Sequence, residues 1–540
     1  MLKVLIRKPV LWLSIIVVGM LIFSIDSVPV SVMEARNFIT AREMITDGNW
    51  LLTTMNGEAR YEKPPLPTWI TALFGLVFGL KSLAALRFPA IIFIAIIGIF
   101  TFLLSKKLLS EVKHSFINAL IVITSFYVIG ITLEAPWDIF THGFMLIAIY
   151  HLFHLFQDEN TFGKHAVLSG IFIGCSILCK GPISIYALLF PFLLAYGFIF
   201  RFKDFKAKWL PVLGCLVLAL IVGGWWFVYV RLADPLTFQA IASKEANNWH
   251  SYNTKPLYYY WSFFTQTGIW TIPAFISLLY PYLKSRVSNL KAYQFSLLWT
   301  LLAVVLLSVI PEKKSRYLMP VLIPLAINTG FYIDYLIRQF KDIKSKKETN
   351  PVYFNFGLIA LIAIAFPVAI YIFTEGNLSD RGIIFITTSV ITVCLGLLIL
   401  LELKKKNIQQ TFIWTVAFFV VIFAFALPIL KPAISTYNRP ITELDTKNLK
   451  VYGFNYLAPE LIWQYGDKIP PLKLEEGSYK FPKEAQFGLL ANGISAEDWT
   501  YLQTKYDIQK VDRVDLNTFS PDSKRYNDRL LNDFYILTRL

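Results

Sequence analysis

LPTWITALFGLVFGL, residues 66–80, is the stretch on which the reading of the whole chain turns. It is apolar, yet as a helix it reaches only about 22 Å, short of the roughly 30 Å of hydrocarbon in a bilayer. It follows Pro64 and Pro65 and contains Pro67, which suits a bent approach to the membrane. The other apolar runs, all but one of them longer, occupy 9–26, 87–105, 116–133, 137–157, 166–179, 183–201, 209–230, 257–283, 293–311, 317–337, 353–373, 382–402 and 411–430, about 13 spans in all. The distribution of positive charge decides whether 66–80 joins them. Lys3, Arg7 and Lys8 place the N-terminus in the cytoplasm. If 66–80 does not cross, the later basic loops fall there too, among them Lys106, Lys107 and Lys113, and Lys404, Lys405 and Lys406. If it crosses, every one of them moves outside. We therefore expect 66–80 to be a re-entrant or interfacial helix, and the C-terminus to lie outside the cell membrane.

Composition agrees. Of 540 residues, 56% are hydrophobic and 16% charged, against about 25% charged in soluble proteins. The net charge of +15, from 51 basic and 36 acidic residues, would suggest nucleic acid in a soluble chain. Here the basic residues sit in short loops, so the charge reads as topology and no nucleic-acid partner is expected. Cys175, Cys179, Cys215 and Cys394 all fall in apolar runs, and no disulfide is expected. The N-terminal run reads as a retained span rather than a cleaved signal. Residues 431–540 are more polar, with strand-like KVYGFNY (450–456), QFGLLA (486–491) and FYILTR (534–539) and a helix-like EDWTYLQTKY. The expected fold is mainly α: a polytopic membrane helix bundle over 1–430, whose first outer loop (27–86) carries amphipathic and re-entrant helices. A small extracytoplasmic α/β domain over 431–540 completes it.

Four polar clusters fall on the outer side of this topology, at span ends where charge need not be buried in lipid. In VMEARNFITAREMITDGNW (32–50), helical periodicity puts Glu34 on one face with Phe38, Ala41 and Ile45, and Arg36, Glu43 and Asp47 on the other. Glu34 is either a first-turn residue favoured by the helix dipole or a carboxylate at a cavity wall, tuned as a base. RYEKPPLP (60–67) sets Glu62 and Lys63 before prolines that fix the backbone, and a lysine at the membrane surface can hold a lipid phosphate. LEAPWD (133–138) places Glu134 and Asp138 one turn apart, and CKGP (179–182) ends a span at Lys180. PEKKSRY (311–317) brings Lys313, Arg316 and Tyr317 to the side that should be poor in positive charge. Arg87, where another span begins, is a supporting cation. Carboxylates beside cations can deprotonate an acceptor and stabilise a phosphate leaving group. There is no GxxxxGK[ST] and no GxGxxG between a strand and a helix, so a donor carried on a membrane lipid fits better than a nucleotide.

MEARNFITAREM, GNWLLTTMNG, YEKPPLPTW, LEAP, KGP and KKSRYLMPVLIPLA, in that order, resemble the bacterial GT-C glycosyltransferases. The nearest kin are the lipid A 4-amino-4-deoxy-L-arabinose transferases and the wider protein O-mannosyltransferase superfamily. The resemblance implies an inverting transfer from a polyprenyl-phosphate sugar to a lipid A-like glycolipid, glycan or protein, by a multi-pass bacterial inner-membrane enzyme. It implies Glu34, Glu62 and Glu134 as catalytic carboxylates, and Arg36, Lys63, Lys313, Arg316 and Tyr317 at the carrier phosphate. Asp138, Lys180 and Arg87 act in support. Met33 stands where the family has an aspartate, which leaves Glu34 as the nearest carboxylate. No metal or other cofactor is called for, and a monomer is expected. A transporter or flippase of a lipid-linked anion would use the same basic clusters, but no internal repeat supports it. A non-catalytic assembly or sensor protein with the outer domain as receptor is the third reading.

Overall fold

A computed structural model describes every residue except 1, 135, 159–161, 203–204, 379–380, 435–438, 445, 447–448 and 475–476. The side chains of 3, 132–134, 136, 205, 248–250 and 432–434 are also outside the description. The chain forms two compact units. One comprises Met1–Ser27, Tyr61–Ile70 and Arg87–Ile429; the other comprises Val28–Arg60, Thr71–Leu86 and Leu430–Leu540.

The first unit is helical. Among the described residues, nine helices are long and apolar enough to cross a bilayer, where the apolar runs led us to expect about 13. Four runs account for the difference. Run 9–26 yields the short helix Pro9–Ser24, and run 183–201 yields Ile185–Ile199, which begins with a π turn. Run 116–133 divides into Val112–Ile123 and Phe126–Glu134. At the break, the Thr124 and Ser125 hydroxyls donate back to the carbonyls of Leu120 and Ile121, a bond that competes with the helix ladder. Run 257–283 breaks into the 3₁₀ segments Leu257–Tyr260 and Phe263–Trp270 and the helix Thr271–Ser277. Gly268 sits in the second segment at φ +65°, and a Cβ there would lie 2.7 Å from Phe126 Cβ. Only glycine meets both conditions without strain.

The decisive stretch forms the helix Leu66–Phe78, about 20 Å long against roughly 30 Å of hydrocarbon. Leu76, Val77 and Phe78 near its end are exposed.

The second unit is built on a four-stranded sheet. Val451–Gly453 runs parallel to Gln486–Ala491, which pairs antiparallel with Leu531–Arg539, which in turn pairs antiparallel with Tyr506–Asp515. The first three strands lie where the sequence suggested. Tyr506–Asp515 (YDIQKVDRVD) escaped notice because it is charged, as suits an edge strand. Helix Val32–Thr46 packs on helix Pro459–Tyr465, with Phe38 against Trp463 at 5.2 Å. Its expected two-faced character is corrected here: Glu43 is buried rather than on a solvent face. The reason is the hairpin Thr54–Ala59, whose Asn56 and Gly57 amides donate to the Glu43 carboxylate at 2.6 and 3.1 Å, joined by the Thr54 hydroxyl at 2.6 Å.

Candidate functional site

In the helical unit, Tyr61, Glu62 and Lys63 stand just before two prolines, in a bend at Glu62 and Lys63, and line a cavity of about 330 Å³. Lys180, the last residue of helix Phe162–Lys180, lines the same cavity, as does Glu245 of helix Pro235–Ser251. Glu62 is exposed there. Lys63 Nζ donates to Glu245 Oε2 at 3.2 Å, with the two side chains 25% and 36% exposed, so water and ligand reach the pair. Tyr61 donates to Asp234 Oδ2 at 3.0 Å. Burial and that carboxylate push the tyrosine up to about 12, so it stays a donor.

Behind this wall, Lys180 Nζ donates to Asp138 Oδ1, joining two neighbouring helices through an ion pair that is almost fully buried. Asp138 Oδ2 has no hydrogen-bond partner among the described residues. The Lys180 ammonium lies 5.4 Å from the centre of the Tyr317 ring, within cation–π range. The Tyr317 hydroxyl donates to Glu312 Oε1 at 3.0 Å, and Lys314 pairs with the same carboxylate at 2.7 Å. A second cavity, of about 700 Å³, is walled by Ile185, Phe190, Leu307 and Val309 and ends at Asp138, Glu312 and Tyr317. Pro182 and Ile183 line both cavities. An apolar space thus adjoins a wet one, with lysines and carboxylates where they meet.

Of the residues singled out from the sequence, the structure brings together Glu62, Lys63, Asp138, Lys180 and Tyr317. Arg316 flanks Tyr317 at 5.9 Å, and its Nε has no hydrogen-bond partner among the described residues. Lys313 is occupied otherwise: it is buried, and its ammonium donates to the carbonyls of Lys255 and Ile310 at 2.9 and 2.6 Å. Burial holds it below its ordinary value. Arg87 donates to the Ile25 carbonyl at 2.8 Å and lines a separate small cavity. Glu34 and Arg36 belong to the other unit. Glu34 closes a capping box there: its carboxylate accepts from Ser31 N at 3.0 Å, and its amide donates to Ser31 Oγ at 3.3 Å. The Glu134 side chain lies outside the described residues. Sequence reading missed Tyr61, Asp234, Glu245 and Glu312. For Glu245 there was a signal, the polar run SKEANN (243–248) just after a span. Two groups elsewhere in this unit could hold a metal ion, His154–Asp158–His165 and Glu111–His114–Asp334.

Comparison with known proteins follows the same residues. The family model described as dolichyl-phosphate-mannose-protein mannosyltransferase matches residues 62–226, from Glu62 through Lys180 and beyond. The undecaprenyl phosphate-alpha-4-amino-4-deoxy-L-arabinose arabinosyl transferase of Shewanella sediminis (strain HAW-EB3) is 24% identical over 355 residues, 61% of this chain and 61% of that protein. Arabinosyl transferase 1 of the same description, from Proteus mirabilis (strain HI4320), is 26% identical over 347 residues, 62% and 60% of the two chains. The chain thus spans about three fifths of the length of the curated relatives it matches. The crystal structure of ArnT from Cupriavidus metallidurans bound to undecaprenyl phosphate superposes with a TM-score of 0.70 at 15% identity, over 99% of this chain and 97% of that one. The two share a fold.

Proposed function

We propose that this chain is a membrane glycosyltransferase of the GT-C type and that it moves a sugar, with inversion, from a polyprenyl-phosphate carrier to an extracytoplasmic acceptor. The acceptor is a lipid A-like glycolipid, a glycan or a protein. One observation carries the reading: Lys63 and Lys180 line a solvent-reached cavity that shares its wall with an apolar cavity of about 700 Å³. A carrier lipid needs both at once, an apolar space for isoprenyl units and cations for the phosphate.

In this reading the phosphate displaces Glu245 from Lys63 and sits between Lys63 and Lys180, with Arg316 and Tyr317 at its edge. The acceptor oxygen forms a bond to the anomeric carbon as the bond from that carbon to the phosphate oxygen breaks. The phosphate keeps the electron pair, the two lysines offset its growing charge, and a carboxylate takes the acceptor proton. Glu62, exposed on the cavity wall beside Lys63, is the base we assign; the family pattern also nominates Glu34 and Glu134. Asp138 holds Lys180 in place. Charge distribution supports a cytoplasmic N-terminus and an outer 431–540 domain beside the catalytic 1–430. The 13-crossing plan holds if 9–24, 112–134, 185–199 and 257–283 cross as short or broken helices.

The test is transfer by the purified protein in detergent from undecaprenyl-phosphate aminopentose and hexose donors, with products identified by mass spectrometry. A transporter would make no product there. Lys63→Ala should lower kcat/KM by about 100-fold or more, as loss of one charge-stabilising group does. Glu62→Gln, Glu34→Gln and Glu134→Gln in parallel identify the base. Unchanged transfer in Lys63→Ala sinks the site, and absence of product with every donor sinks the function.

A further inference from the structure

The helices Pro136–Gln157 and Phe162–Lys180 carry a second polar group at the end away from Asp138 and Lys180. Sugar transfer, as derived above, makes no use of it. His151 and His154 stand on the last turns of the first helix, Asp158 follows that helix, and His165 stands in the first turn of the second. His154 is about 24 Å along the helix from Asp138. The four-residue spacing of His154 and Asp158 puts both on one face, with Asp158 Oδ2 2.6 Å from His154 Nδ1. From the other helix, the His165 ring stacks on that of His154, centroids 4.6 Å apart and 12° from parallel. His165 Nδ1 lies 2.8 Å from His151 Nδ1. One ligand atom each from His154, Asp158 and His165 lie within 4.8 Å of one another.

Hydrogen bonding accounts for one side of His165. Of the two facing Nδ1 atoms one donates and the other accepts, and a His165 that donates from Nδ1 keeps the Nε2 lone pair as a ligand atom. Lys107 holds the second Asp158 oxygen at 2.7 Å, which fixes the carboxylate with Oδ2 turned to the histidines. The His154 and Asp158 side chains are 15% and 22% exposed, so an ion can reach them from water. Imidazole with carboxylate is the donor set of a zinc-type ion. Bonds of about 2.0–2.1 Å in a tetrahedron put ligand atoms about 3.4 Å apart. The observed spacing closes to that by side-chain rotation.

We propose that His154, Asp158 and His165 bind a divalent transition ion of the zinc class. His151 and Lys107 act as outer partners that orient His165 and Asp158. The ion staples together the two helices whose far ends carry Asp138 and Lys180.

The test uses the full chain, purified with an affinity tag that contains no histidine, stripped by chelation and dialysed against Zn²⁺ or Co²⁺. We expect about one zinc per chain and, with cobalt, the visible absorption of a tetrahedral site. His154→Ala and His165→Ala each lose the ion. His151→Ala keeps it with affinity weaker by about 10- to 100-fold, as for other outer partners of metal ligands. His114→Ala, in the other candidate group, keeps it unchanged. Size-exclusion elution reports folding, and Asp158→Asn, which preserves side-chain size, replaces any alanine variant that does not fold. Three results overturn the proposal: no zinc retained by the parent protein, zinc retained by the ligand variants, or zinc lost in His114→Ala. None of these readouts depends on sugar transfer.

Discussion

Two sets of carboxylates, one from each unit of this protein, are held in opposite ways. Three in the sheet-bearing unit are satisfied by groups no more than 25 residues away along the chain. Glu34 is bound by Ser31 N, Glu43 by the Asn56 and Gly57 amides, and Asp498 by Ser495, Tyr479 and Lys473. Three around the cavities of the helical unit reach side chains far away in sequence: Asp138 to Lys180, Glu245 to Lys63, Asp234 to Tyr61. A carboxylate that holds a turn together cannot be displaced without undoing the turn. A carboxylate paired with a lysine at a cavity wall can be exchanged for a phosphate with no change of backbone. The same residue type therefore builds structure at Glu34 and Glu43 and holds binding groups ready at Asp138 and Glu245.

The largest effect should come from the buried pair. Asp138→Asn or Lys180→Met leaves one charge buried alone, and each should lower stability by about 3–5 kcal/mol. The double variant should recover most of the loss. Unfolding in detergent measures this, and single variants that melt like the parent would break the comparison on its helical side.

Asp498→Asn comes next, at about 1–2 kcal/mol near neutral pH. The Lys473 ammonium and Tyr479 hydroxyl hold its carboxyl down at about 2, below the roughly 3.9 of an unfolded aspartate. Because the folded value is the lower one, the stabilisation is complete above about pH 4 and is lost as pH falls from there to about 2. The gap between variant and parent in chemical unfolding should close over that range. A gap that persists at about pH 2 would remove the ion pair from the account.

Glu34→Gln is smaller. Glutamine can still close a capping box, so only the charge at the helix N-terminus is lost, about 0.3–1 kcal/mol. Collapse of transfer at unchanged stability would make Glu34 the base and erase the contrast. Glu245→Gln should move stability least, by about 0–1 kcal/mol for so exposed a pair. It should still lower the KM for the donor a few-fold, because Lys63 loses its competitor. A raised KM would mean that Glu245 positions Lys63 rather than blocks it.

How legible each region was follows from the range of its interactions. The Ser31–Glu34 box is an S-x-x-E pattern and could be read directly from the sequence. The strands 451–453, 486–491 and 531–539 could be read because one or both faces are apolar. The charged edge strand 506–515 could not, because its neighbour rather than its own apolar pattern makes it a strand. Lys63 and Lys180 were found by motif and span end, but nothing local to Lys313 told that its ammonium would be taken by the Lys255 and Ile310 carbonyls.

By itself the sequence determined the solvent this protein lives in, because bilayer thickness acts on run length and the charge rule acts on loops, and both are local. It also determined that 66–80 is an apolar run of only about 22 Å as a helix, with Lys63 just ahead of it. Only the tertiary structure decided where apolar runs break, since Gly268 must turn beside Phe126. It also decided which charges meet. Asp138 and Lys180 are 42 residues apart and Lys63 and Glu245 are 182 apart, and helix packing sets such distances.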